Sequence, residues 1–404
     1  MTAHAPSLQG RLDRHTSLVA AAVLLGAIYA GSTMVTPLYP LYQQRFGLSE
    51  LTVTLVYATY VVGNLIALFA FGRVSDQAGR RPVSLVVLAV AIASALIFLL
   101  AIHPAMLFLA RAASGLAIGV GAASATAWIA ELQPGADKAR ASRLAAAVNL
   151  GGLAAGVVIS GLLAQFAPWP LRLPFGAYLV VLVITAVSTA LACETVASPA
   201  RSPAQLSLEP RIGVPRELRL AFAAPAVTAF ATFALLGFYA ALLPNLLASS
   251  MHIHSPALSG TVVAELYLAG ALTIVATPAL AARTAMTAGL WLLPPGLAML
   301  LWAQVAGSLV WLLAATALSG VACAWGFRGS LQEVNRIAPS QRRAELLSAY
   351  LLCCYAGNSV PAVGIAVLAR AAGHLRADAV FAAVCALLAV VALVVGANEA
   401  RKAN

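Results

Sequence analysis

The sequence predicts an all-α polytopic membrane protein with 12 transmembrane helices in two pseudo-symmetric six-helix bundles. Three observations lead there: the composition, a succession of long apolar runs, and a weak internal repeat. Of the 404 residues, 62% are hydrophobic and only 9% are charged, and the mean hydropathy is +0.92. A water-soluble domain carries about 45–50% apolar and about 25% charged residues, so this chain lacks the polar surface such a domain needs. Twelve crossings of a hydrocarbon core, at roughly 20 residues each, require about 240 apolar residues. The hydrophobic share of the chain meets that demand.

The first run, 17–40, follows a short polar stretch and is too long for the apolar core of a signal peptide, so no cleavage is expected. Runs follow at 51–71, 82–101, 105–130, 144–165 and 174–193, and then at 220–243, 256–278, 284–327, 345–369 and 378–397. The run 284–327 is too long for one span and divides at Gly307 and Ser308, which brings the number to twelve. Lipid satisfies no open backbone polar group, so spanning segments are helices or closed barrels. The runs are continuous rather than alternating, which selects helices.

Basic residues set the orientation. With the N-terminus in the cytoplasm, 19 of the 24 Lys and Arg fall in inner connections and termini. Arg45, Arg172, Arg370 and Arg376 fall outside, and Arg111 lies within a run. Both termini are therefore expected in the cytoplasm of a cell whose inner membrane holds the chain. The net charge of +11 is spread over short loops rather than gathered on one face, which argues against a nucleic-acid partner. Cys193, Cys323, Cys353, Cys354 and Cys385 all sit in apolar stretches without C-x-x-C spacing and are read as small hydrophobes.

The longest connection, 194–219, carries Pro199, Pro203, Pro210 and Pro215, as a linker between bundles should. It divides the chain into a first bundle, 1–193, and a second, 220–404. The halves echo each other: Ser114, Gly115, Gly121 and Pro134 recur as Ser319, Gly320, Gly326 and Pro339, about 205 residues on. Such a period is too long for a solenoid and is the internal symmetry of secondary transporters.

After the second run comes Gly72-Arg73-Val74-Ser75-Asp76-Gln77-Ala78-Gly79-Arg80-Arg81. Gly72 permits close helix approach, Gly79 a tight turn, and Asp76 a pairing with Arg80 or with a helix N-terminus. The segment resembles the loop signature of the major facilitator superfamily, G-x-x-x-D-[RK]-x-G-R-[RK]. Gly72, Asp76, Gly79, Arg80 and Arg81 match, and Gln77 departs from the basic residue. The resemblance implies a loop that latches the outward-open state against the eleventh helix, with Glu131 at the inner end of the fourth completing a charge network. Arg80 and Arg81 also satisfy the positive-inside rule without any latch.

Arg111-Ala-Ala-Ser-Gly115 is similar to the family's R-x-x-x-G pattern in its fourth helix. An Arg there costs about 2.5–3.5 kcal/mol on insertion scales, so it faces a cavity, finds a partner or snorkels to the membrane edge. The stretch 151–161 is glycine-rich like the antiporter signature but lacks its Gly-Pro pair, and close helix packing explains it equally. Pro361 marks an expected kink in the eleventh helix. The family's helices 1, 4, 7 and 10 line its central cavity, which implies substrate contacts from Tyr29, Thr33, Arg111, Phe238, Tyr239 and Trp325. Tyr60, Asn64, Asn149 and Asn358 are second choices, and each of these side chains also fits simple helix packing.

Glu265 is the one acid placed deep in a span, about nine residues or about 14 Å in. A low-dielectric setting disfavours the charged carboxylate, so Glu265, with Arg111, is the candidate for coupling transport to protons. A hydrogen-bonded Glu at a helix interface, or one that binds a cationic substrate, is the alternative. His252 and His254 are too isolated for a metal site, and no nucleotide-binding loop is present, so no cofactor or metal is expected and the energy source is an ion gradient. Nucleophile-elbow and zinc-hydrolase patterns are also missing, which argues against an enzyme. The expected function is monomeric, proton-coupled export of a small amphiphilic or drug-like compound; uptake of an organic acid on Arg111 is the alternative.

Overall fold

The computed structural model describes residues 11–71, 74–197 and 212–403. Twelve of its helices are long and apolar enough to cross a membrane. They are α1 (Arg14–Thr33), α2 (Glu50–Phe71), α3 (Arg80–Leu99), α4 (Pro104–Leu132), α5 (Lys138–Phe166) and α6 (Leu173–Leu191), followed by α7 (Arg219–Ala241), α8 (Pro256–Ala276), α9 (Ala282–Ala306), α10 (Leu309–Ile337), α11 (Arg343–Ala372) and α12 (His374–Ala403). The described residues contain no β-strand.

Several helices begin or end for a visible local reason. The Asp13 carboxylate accepts from Thr16 N at the start of α1, and Asp137 from Arg140 N (2.9 Å) at the start of α5. Ser255 caps α8, where Pro256 occupies the first turn without forfeiting a bond. The division of the long run 284–327 falls as expected: α9 stops at Gly307, whose φ is 57°, and Ser308 opens α10. Past α1 the chain does not go straight into a loop. A 3-10 turn, Thr36–Leu38, and a short helix, Tyr39–Phe46, extend the first run. Pro361 sits inside an unbroken α11.

Large apolar side chains such as Val62, Ile66, Leu109, Leu272, Val275 and Trp291 stand exposed around the bundle, on a scale that only lipid contact tolerates. Inside a bilayer, helices gain little from hiding apolar surface from each other and pack instead through small residues. A Cβ on Gly115 would overlap the Tyr60 carbonyl of α2, and one on Gly63 the Ala112 carbonyl of α4. These two glycines bring α2 and α4 into backbone contact.

The contact scheme repeats. In the first six helices α1 packs on α4, α5 and α6, α2 on α4, and α3 on α4 and α6; adding six to every number gives the packing of the second set. Between the sets the principal contacts are α5 with α8 and α2 with α11, a pairing that the same shift preserves. An even number of spans puts the start of α1 and the end of α12 on one side, the terminal side; the opposite is the far side.

Candidate functional site

A cavity of about 280 Å³ lies between the two sets of helices. The first set contributes Tyr29, Ser32, Thr33, Thr36, Tyr57, Tyr60, Asn64 and Asn149; the second contributes Phe233, Tyr267, Cys323, Phe327, Tyr355 and Asn358, with aliphatic residues between them. Every lining side chain is uncharged. Tyrosine hydroxyls and amides therefore set its chemistry.

On its far side the cavity is roofed by one cross-bundle contact. Asn358 of α11 donates its two amide hydrogens to Tyr57 Oη (2.8 Å) and Tyr60 Oη (2.6 Å) of α2. Behind those rings lies Arg111, 1% exposed, its guanidinium 4.8 Å from the Tyr60 ring centre and 5.7 Å from that of Tyr57. Its Nη1 donates to Ser32 O at 2.9 Å. No carboxylate pairs with it in the described structure; the π faces and the carbonyl hold the charge. Arg111 thus backs the cavity wall without lining it.

Nearer the far surface, Gln165 Oε1 of α5 accepts from Ser255 Oγ (2.6 Å) and Ala257 N (3.1 Å) at the start of α8. One turn in, a Cβ on Gly260 would strike the Val157 carbonyl, so these two helices also meet backbone to backbone. The far ends are closed over the cavity.

The remaining expected substrate residues divide. Tyr29 and Thr33, one turn apart on α1, line the cavity, as do Tyr60, Asn64, Asn149 and Asn358. Phe238 does not; it is fully buried and stacks on Phe381 of α12 at 5.1 Å. Tyr239 is also fully buried and accepts from Thr316 Oγ1 within the second set. Trp325 bonds Thr277 Oγ1 (3.0 Å) and faces a groove on the outer surface of α8, α9 and α10. Glu265 also lies off the cavity: on α8 it falls between exposed Thr261 and Leu268, close to Tyr239, with its Oε2 buried and unbonded.

At the terminal side, Gly72 falls outside the described residues. Asp76, Gly79, Arg80, Arg81 and Glu131 converge. Arg80 reaches Asp76 (2.5 Å), Ser75 (2.8 Å) and Glu131 (2.7 Å), and Glu131 also accepts from Thr195 Oγ1. Glu194 receives Arg80 N (3.0 Å) and Arg81 N (2.9 Å), so a residue of the linker caps α3. Gly79 has φ 105°, and a Cβ there would crowd Glu194 Oε2. Arg14 closes the end of α4 by donating to Leu132 O (3.0 Å) and Glu131 O (2.9 Å). Sequence reasoning missed Glu194, which carries no motif, and Tyr57, which shares a helix face with Tyr60 and Asn64 at a spacing that could have revealed it.

The Major Facilitator Superfamily model matches residues 21–360. The chain belongs to this family. It is a multi-pass membrane transporter and not an enzyme. Among solved structures, a bacterial homolog of the human lysosomal transporter Spinster, in an inward-facing and unoccupied conformation, superposes with a TM-score of 0.71 at 14% identity, covering 96% of this chain and 98% of its own. A variant of the nucleoside transporter NupG gives 0.75 at 12% identity, with 95% and 100% coverage. At these identities the likeness is one of fold. No match was found among curated proteins.

Proposed function

We propose that this transporter exports a small, uncharged, aromatic or drug-like amphiphile across the cytoplasmic membrane, driven by inward proton flow. It works as a monomer with both termini in the cytoplasm, and its halves, 1–193 and 220–404, rock about the central cavity. The uncharged, tyrosine- and amide-lined cavity carries this reading. Ring faces accept an aromatic solute, while hydroxyls and amides orient its few polar atoms. A formally charged solute would find no counter-charge there. Organic-acid uptake loses support from the same geometry, because the Arg111 guanidinium is already covered by two tyrosine rings.

With no carboxylate on the wall, substrate and proton do not compete for one group. Glu265, whose buried oxygen lacks a partner inside the second bundle, is the proposed proton carrier, and Arg111 acts indirectly through the tyrosines that join the halves. The Asp76, Arg80 and Glu131 network, whose partners among the described residues lie in the first half and the linker in this far-side-closed form, is proposed to latch the terminal side when that side closes, with Gly79 and Arg81 shaping it. The experiment is a panel of neutral aromatic solutes added to proteoliposomes containing a pH-sensitive dye. A solute-evoked proton flux that Glu265→Gln abolishes and Tyr60→Phe reduces is expected. A chain that moves solute with no proton signal, or with an undiminished one in Glu265→Gln, would refute the coupling.

A further inference from the structure

At the far surface the structure assembles a second polar cluster that no motif marks. Glu50 opens α2 of the first half; His374 and Asp378 lie one turn apart at the start of α12 of the second. His374 Nδ1 stands 3.5 Å from Glu50 Oε2. Asp378 is only 7% exposed and feels the charges of both His374 and Glu50. Two amides complete the setting. Gln304 of α9 lies beside Asp378 and Asn245, in the short helix Leu243–Ser250, lies beside Glu50. Both amides are buried.

We propose that Glu50, His374 and Asp378 form a proton-binding clasp that fastens the far ends of the two halves. Closing those ends brings a carboxylate of each half into one poorly solvated place, where their repulsion opposes closure. A proton on the imidazole places a cation against Glu50 and within electrostatic reach of Asp378, and so offsets the repulsion. The imidazole is 44% exposed, so the proton comes from the far-side solution, while the Asp378 carboxylate behind it is screened from that solution. The other charged or titratable groups at the far ends, Arg45, His103, Arg172, His252, His254, Arg370 and Arg376, are all exposed to solvent. A metal clasp is disfavoured, because the described residues include no group of three His, Cys, Asp or Glu placed to hold an ion.

By linkage, whichever conformation binds the proton more tightly is populated as pH falls. Far-side closure is therefore favoured in acid and relaxes as the imidazole loses its proton. The clasp rests on the reading that the halves separate at this face, but it needs neither the substrate nor Glu265. Its test is the far-end distance, read with no solute present from probes on genetically encoded azido side chains at Ile102, in the α3–α4 loop, and Val310, in the first turn of α10, both exposed at the far side of opposite halves. In lipid nanodiscs, a single short distance is expected at about pH 5.5 and a severalfold larger long-distance population at about pH 8.5. His374→Gln and Glu50→Gln should flatten this response. Asp378→Asn, which removes the repulsion, should keep the short distance at both pH values, and Glu265→Gln should respond as the native chain does. A native distance distribution that is unchanged with pH, or a full response in both His374→Gln and Glu50→Gln, overturns the clasp. Loss of solute flux in Glu265→Gln with the distance response intact separates this outcome from failure of the coupling site.

Discussion

The turn between α2 and α3 and its counterpart between α8 and α9 hold equivalent places in the two halves but work by different chemistry. In the first, Arg80 gathers two carboxylates and a hydroxyl, and Glu194 caps the next helix. In the second, Ala281 and Ala285 stand about 205 residues beyond Asp76 and Arg80. There Arg328 of α10 donates instead to the backbone carbonyls of Thr277 (2.6 Å) and Leu280 (2.8 Å). The repeat preserves helix packing and leaves the turn chemistry free. Charges that can exchange partners suit a moving latch; carbonyls fixed in the backbone suit a static cap. The functional asymmetry of the transporter is thus concentrated in a few polar side chains on a symmetric frame.

Arg80→Ala should produce the largest effect. It strips three partners from one site and leaves Glu131 without its cation, at about 2–3 kcal/mol for charge-assisted bonds. A lower melting temperature in detergent and a solute flux reduced at least about tenfold are expected. Gly79→Ala comes next, with about 1–2 kcal/mol lost through a φ that L residues resist and through the contact with Glu194; Ala281→Gly in the second turn should be near neutral by the same thermal assay. Arg328→Ala should cost about 1 kcal/mol of stability and leave the flux of the folded protein unchanged. Raised salt sharpens the contrast, because screening weakens the exposed edge of the Arg80 network and not hydrogen bonds to neutral carbonyls. Asp76→Asn should matter least for stability, by less than about 1 kcal/mol, since the Asp76 side chain is 60% exposed. A large loss of stability in Arg328→Ala together with a silent Arg80→Ala would reverse the comparison.

Much of this frame was legible from residues alone. Continuous apolar runs admit only helices in lipid, and Gly307 marks the one division that length required. The Asp76 to Arg81 segment was legible because a charge network at a membrane edge needs those residue types in one turn. Rotation about each helix axis was not. Helices apolar on all sides give no sign of which face meets a cavity, a neighbour or lipid, so Phe238, Tyr239 and Trp325 were expected at a cavity that they do not line, and the side of α8 to which Glu265 points was open. Tyr29 and Thr33 were found as polar residues on the first helix, which the family resemblance places at the cavity. Asp378 opens the last apolar run, 378–397, where nothing in the sequence marks it as buried. It lies beside Gln304 of α9 and within electrostatic reach of Glu50 of α2, neighbours that only folding brings together.

The central claim is that one cavity between the halves opens to one face at a time. It is tested most directly with Asn149→Cys on the cavity wall of a chain whose native cysteines, Cys323 of the same wall among them, are replaced by Ala, and a membrane-impermeant thiol reagent applied separately to each side of a sealed vesicle. The test is run with and without a cleavable thiol-reactive bridge joining Gln165→Cys to Ser255→Cys across the far ends, with a control that carries the bridge pair but keeps Asn149, so that labelling of the pair itself is subtracted. Bridged protein should label from the terminal side alone, and cutting the bridge should restore labelling from the far side. Equal labelling from the far side with the bridge intact would contradict the account.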